Sequence, residues 1–169
     1  IDVLIDVARQ VAQYPNIRIV IGGDGAGRAR LSNLAEGLSN VQLIELQPLS
    51  RLNELLNLAD VHLLPQRAGV ADLVMPSKLG GMLASGRPVI AGAAAGTQLA
   101  HEVAQCGAVV DPDDADAMAT ALIVLFKNAD ARQRLGIAAR QRAMSHWDKS
   151  AVLSGFEKRL MSVRQSQIG

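Results

Sequence analysis

A chain of 169 residues, 49% hydrophobic but only 2% aromatic, is long enough for one domain with a full core built from Leu, Val, Ile and Ala. Its four aromatics, Tyr14, Phe126, Trp147 and Phe156, are too few for base-stacking recognition of single-stranded nucleic acid. A formal net charge of +1 argues against a general polyanion binder, and a single cysteine, Cys106, excludes a disulfide framework and a cysteine-based metal site and fits a reducing compartment.

From Val3 the apolar positions Val3, Leu4, Val7, Ala8 and Val11 follow one helix face. That helix ends near Tyr14-Pro15-Asn16, and the β-branched run Ile17 to Ile21 reads as a buried strand. Leu31, Leu34, Ala35 and Leu38 predict a second helix, followed by a strand from Val41 to Leu46 and a short helix from Ser50 with Leu52, Leu55 and Leu56 inward. Val61 to Leu64 is the third strand, Ser77 to Ala84 a helix, Pro88 to Ala91 a strand, Leu99 to Ala104 a helix and Ala108 to Val110 a strand. Helices over Ala115 to Asn128, Asp130 to Met144 and Ser150 to about Gln165 finish the chain, with a polar tail.

Alternating strands and helices without tight hairpin turns imply an α/β fold, a three-layer doubly wound parallel sheet of five strands, because parallel neighbours need crossovers. A start at Ile1 within helical periodicity reads as a piece of a longer polypeptide whose preceding strand lies upstream. Residues 127–169 carry net +6 and residues 1–126 net −5. The basic segment reads either as a solvated helical face or as a surface leaning toward anionic lipid. No apolar run approaches the ~20 residues that span a bilayer, so the expectation is a soluble or peripheral protein.

In such a fold ligands bind beyond the carboxyl ends of the strands. Gly22-Gly23-Asp24-Gly25-Ala26-Gly27 follows the first strand, but no register satisfies G-x-G-x-x-G; from Gly23 the third glycine falls on Arg28. Close main-chain approach to a ligand at Gly23 and Gly25, with Arg28 or Arg30 neutralising a phosphate, competes with a turn that simply needs positive φ. Asp72 to Lys78 is the stronger segment: Met75 is held extended by the following proline, Pro76 and Ser77 suit a helix entrance, and the N–H groups of Lys78 and Leu79 are expected to be free for an anion. Its bland alternative is a capped surface helix with a solvated lysine. Gly92 to Thr97, with Gly96 and Thr97 at its end, is a further small-residue loop on that edge. The three histidines lack metal spacing, His62 reads as a core or edge residue, and Ser77 lacks the G-x-S-x-G frame of a serine hydrolase.

The ordered runs IRIVIGGDGAGRARL, NVQLIELQPLSRLNELLNLADVHLLPQ, PSKLGGMLASGRPVIAG, GTQLAHEV and CGAVVDPDDADAMATAL resemble the C-terminal domain of a family 4 glycosyltransferase of GT-B architecture. Within that family, LLPQRAGVADLVMPSKLGGMLASGRPVIA is similar to a branch that builds exopolysaccharides of the colanic acid type. The resemblance implies a Rossmann-like half that binds a nucleoside-diphosphate sugar across a cleft from an acceptor domain lying outside residues 1–169. It implies retention of anomeric configuration, no cofactor beyond the donor, no obligatory metal, a lipid-linked saccharide acceptor, no nucleic acid partner, and a cytoplasmic place with peripheral contact at the inner face of the membrane. Carried over by position, Gln47 and Pro48 border the nucleobase, Met75-Pro76-Ser77-Lys78-Leu79 hold the diphosphate, Gly96-Thr97 border it, and Arg67 is counted among the donor-binding residues.

Two glutamates expected in the family fall on Leu73 and Gly81 here. The first contacts the donor sugar in the family and the second the ribose, so Asp72 is the neighbouring substitute for the first, and residues 1–169 alone are expected to be inert. A nucleotide-sugar epimerase of the same architecture and a degenerate scaffold domain are the rival readings.

Overall fold

The structure, a computed structural model, describes residues 1–69, 75–148, 150, 152–157 and 161. Its elements follow the alternation of the sequence: α1 (Val3–Gln10), β1 (Ile19–Gly22), α2 (Arg28–Leu34), β2 (Val41–Ile44), α3 (Leu52–Leu58), β3 (His62–Leu64), α4 (Lys78–Ala84), β4 (Val89–Gly92), α5 (Gln98–Val103), β5 (Gly107–Val110), α6 (Ala115–Lys127) and α7 (Ala129–Arg142). Every strand pair is parallel, but the pairing forms two sheets rather than one: β1 with β2, and β3-β4-β5 in that order. A continuous sheet needs a strand hydrogen-bonded to an edge of each, and none of the described strands does this.

The period of two along the strands divides the core into two layers. On β4, Val89 and Ala91 face one cluster with Leu79, Leu83, Leu99, Val103 and Ala139, while Ile90 faces the other with Leu4, Val7, Val11, Met118 and Leu122. Helices α4, α5 and α7 therefore cover one face of the sheet, and α1 and α6 the other. Each fully buried Val, Leu or Ile contributes ~1.5–3 kcal/mol by leaving water, so β4, buried at all four positions, is the centre of the fold. The Tyr14 and Phe126 rings close the α1–α6 layer edge to face, 5.8 Å apart at 64°.

Glycines set how closely the other layer approaches. A Cβ on Gly136 of α7 would lie 2.2 Å from the carbonyl oxygen of Gly86, whose own φ of +70° turns the chain out of α4 into β4. At its end α7 widens into a π turn, Ala143–Trp147, which lays Trp147 over Gly80, where an added Cβ would meet the ring at 3.1 Å. There Arg142 grips Glu102 with two hydrogen bonds of 2.9 Å, and Trp147 Nε1 donates to the same carboxylate at 3.3 Å.

Two sequence expectations need correction. Leu52 does not point inward: it is 41% exposed, because Leu49–Arg51 form a 3-10 turn first and rotate the following helix. The strand expected to reach Leu46 stops at Ile44, and Leu46 is exposed. Residues 152–157 are helical as expected, and the continuation of that helix toward Gln165 lies outside the described residues apart from Met161.

Candidate functional site

Parallel pairing puts the loops after β1 and β2 at one edge of their sheet, and the loops after β3, β4 and β5 at one edge of theirs. They are the places where main chain is accessible to a ligand in this class of fold.

After β1, Gly23 takes φ +152°, and neither it nor Gly25 has a heavy atom within 4 Å of an added Cβ. The space above this turn is open. Arg28 does not serve it as a free cation: its guanidinium NH1 donates to the carbonyls of Gly23 at 2.7 Å and Ile44 at 2.8 Å, clamping the ends of β1 and β2 together. Arg30 is paired with Asp2 at 2.5 Å. Arg28 is thus fixed through one nitrogen at the strand ends with donors left over, and Arg30, largely exposed, is held by Asp2.

After β2, the Gln47 side chain donates to the Glu45 carbonyl at 3.1 Å, and Pro48 is extended at φ −63° and ψ 153°. After β3, Arg67 is exposed. The amide of its neighbour Ala68 donates to the Asp113 carboxylate at 3.0 Å, which ties this loop to the one after β5. Asp113 holds φ +59°, a left-handed conformation that Asp tolerates better than most residues. Sequence reading missed this brace, although the turn-rich run Asp111-Pro112-Asp113-Asp114 was its signal.

Met75 packs against the core layer beneath α4, Pro76 is half-buried, and Ser77 and Lys78 are exposed. The Leu79 amide is not free: it donates to the Pro76 carbonyl at 3.0 Å, and the Leu79 side chain is fully buried. Ser77 precedes the helix with helical dihedrals and no side-chain cap. The anion-facing groups expected here thus reduce to the first main-chain amides and the Lys78 ammonium. Asp72 and Leu73 lie outside the described residues. At Gly81, where a carboxylate was expected from the family, an added Cβ would meet the Leu56 Cδ1 methyl at 3.2 Å, a contact that a small shift of that side chain relieves.

After β4, Gly96 turns at φ +81° with open space around its Cα. Thr97 is 4% exposed, and its hydroxyl donates to the Ala94 carbonyl at 2.8 Å while accepting from the Ala100 amide at 3.2 Å. Its side chain caps α5, so contact with a ligand from this position comes through main chain. His62 is a core residue as expected: burial first and Arg87 second hold its pKa down near 4, and its Nε2 lies 3.0 Å from Ser85 Oγ. Burial likewise lifts the Cys106 thiol to about 11. Among the described residues no His, Cys, Asp and Glu gather in a group that could hold a metal, and no helix is long and apolar enough to cross a membrane.

Two helical layers around parallel strands, with small-residue loops at the carboxyl edge, define a Rossmann-like domain of the GT-B type. The chain belongs to the glycosyl transferases group 1 family, whose model matches residues 1–142. It is 34% identical over 161 residues to WcaI of Escherichia coli (strain K12), whose name places it in colanic acid biosynthesis as a glycosyl transferase. That alignment takes in 90% of this chain and 38% of WcaI, so the chain spans about two fifths of that relative. Among solved structures it resembles Anabaena Alr3699/HepE, solved with UDP-glucose, at TM-score 0.76 and 17% identity, covering 95% of this chain and 44% of HepE. It also resembles the C-terminal domain of the group 1 glycosyl transferase LpcC from Francisella tularensis at TM-score 0.70 and 15% identity, covering 88% and 79% of the two chains.

Proposed function

We propose that residues 1–169 form the donor-binding half of a retaining glycosyltransferase that moves a hexosyl unit from a nucleoside-diphosphate sugar to a lipid-linked saccharide, in assembly of a colanic-acid-like exopolysaccharide. The observation that carries this reading is the 34% identity to WcaI across 90% of the chain. HepE, with the same fold, was solved with UDP-glucose, which supports a nucleotide-sugar donor. Transfer takes place at the cytoplasmic side, with the enzyme touching the inner face of the membrane. Neither a cofactor nor a metal is required, because main-chain N–H groups and cationic side chains receive the phosphates.

In this reading the Gly23–Gly25 turn and Gly96 let main chain approach the donor, Gln47 and Pro48 border the base, and Lys78 and Arg67 offset the charge of the diphosphate. The rate gain comes from stabilising the leaving diphosphate and from orienting the acceptor hydroxyl between two domains. With Gly81 in place of a carboxylate, the ribose is held by main chain or from the partner domain.

One observation favours a second reading: Leu73 and Gly81 stand where the family has glutamates, as they would in a degenerate scaffold domain. Product analysis of the full-length protein separates the readings. Sugar transferred to a lipid-linked acceptor, with nucleoside diphosphate released, supports the transferase; donor epimerised without an acceptor supports an epimerase; a folded protein that binds no nucleotide sugar supports the scaffold.

A further inference from the structure

At the opposite edge of the three-stranded sheet, where β3 and β4 begin, Asp60, Arg87, Arg132, Gln133, Ile137 and Arg140 contribute to the walls of a cavity of about 390 Å³. Three arginines and one aspartate share this lining, and none of the ion pairs among the described residues joins Asp60 to any of the three. Two of the arginines are anchored through a single nitrogen. Arg132 NH1 donates to the carbonyls of Leu125 at 2.5 Å and Phe126 at 2.8 Å, at the end of α6, and Arg140 NH1 donates to the Ala84 carbonyl at 2.5 Å, at the end of α4. An arginine carries five N–H donors in a planar fork, so each anchor fixes the group and leaves donors over.

Arg87 is different. Its Nε is the one buried side-chain nitrogen or oxygen without a hydrogen-bond partner among the described residues. That atom is sealed from solvent, so an anion in the cavity meets the other nitrogens of the Arg87 fork, for which no hydrogen bond or ion pair occurs among the described residues. Planar guanidinium forks match the tetrahedral oxygens of phosphate in pairs, and the volume is at the small end of the ~300–1,000 Å³ range of ligand sites.

We propose that this cavity binds a phosphate monoester through Arg87, with Arg132 and Arg140 beside it. The site lies at the amino ends of the strands and is independent of the nucleotide-sugar reading of the carboxyl edge. A free sugar phosphate and a phospholipid headgroup share this chemistry.

The test uses the full-length protein with two probes: glucose 6-phosphate by calorimetry, and vesicles containing phosphatidic acid by cosedimentation. Arg87→Gln removes the guanidinium that lines the cavity. Ile137→Glu places a carboxylate at the cavity from a position 54% exposed, so it keeps the test valid if the first variant fails to fold. Binding of either probe that weakens at least tenfold in each of the two variants that folds, and less than twofold in Lys78→Ala, supports the site; the probe that binds identifies the source of the phosphate. Absence of binding to both probes, or binding that Ile137→Glu leaves unchanged, or loss in Lys78→Ala alone, overturns it.

Discussion

Substituting Gly136 by alanine sets two effects of opposite sign against each other. In a helix interior alanine is favoured over glycine by ~0.8–1.0 kcal/mol, and Gly136 is inside α7. Against this, the new methyl would lie 2.2 Å from the Gly86 carbonyl oxygen and 3.2 Å from its carbonyl carbon. Backbone cannot rotate aside as a side chain can, and Gly86 is pinned in a left-handed turn at φ +70°. Relief requires α7 to lift by about 1 Å, which strains the Arg140 bond to Ala84 and opens the contacts of Ala139, fully buried in the layer below. Overpacking of this kind costs ~1–3 kcal/mol and a clash against main chain belongs at the upper end, so the net expectation is a loss of about 2 kcal/mol. Gly155 is the control, since nothing lies within 4 Å of its added Cβ; there alanine should be neutral or stabilising by up to ~1 kcal/mol. Equilibrium urea unfolding followed by circular dichroism reads both variants. A Gly136→Ala variant as stable as its parent, or more stable, would refute the seating of α7 on the Gly86 turn.

Thr97→Ala should cost ~0.5–2 kcal/mol by removing the cap of α5, read as a shift of the urea midpoint, with Thr97→Ser recovering most of it. The folded-state pKa of His62, about 4, lies below its unfolded value of 6.5. Its contribution is therefore complete above pH 6.5 and is lost as the unfolded chain takes up a proton between pH 6.5 and 4, and His62→Gln should flatten the pH dependence of urea stability in that window. Glu102 is held below its ordinary range chiefly by the Arg142 hydrogen bonds. It stabilises the fold above the unfolded carboxylate pKa and ceases to do so as pH falls through its folded value, so Glu102→Gln should destabilise at pH 7 and lose its effect in strong acid. Lys78→Ala should weaken nucleoside-diphosphate binding by the full-length protein about tenfold, as expected for a charge-assisted contact worth ~1.5 kcal/mol; unchanged affinity in calorimetry would remove Lys78 from the site.

Much of the fold was legible because apolar periodicity is local. The β-branched run before Gly22 and the i, i+4 face from Val3 located β1 and α1 without any tertiary information. The division into two sheets was not legible, since strand partners are set by contacts distant in sequence. Leu52 was misjudged because a 3-10 turn shifts the helical phase, and periodicity assumes one phase throughout. At the site, the order of loops and glycines was readable, but the engagement of side chains was not. Arg28 looks like a free cation until its carbonyl partners, one of them sixteen residues away, are known. Leu79 similarly lost its free amide to Pro76. The Asp113 brace on Ala68 joins positions 45 residues apart, beyond any spacing rule.

The central claim is that this domain binds the donor of a sugar transfer. The direct measurement is incubation of the full-length protein with radiolabelled nucleoside-diphosphate sugars and a lipid-linked saccharide fraction. The account predicts label in the lipid fraction and an equal amount of free nucleoside diphosphate, both strongly reduced in Lys78→Ala. A folded protein that binds none of the donors, and moves no label, would contradict it.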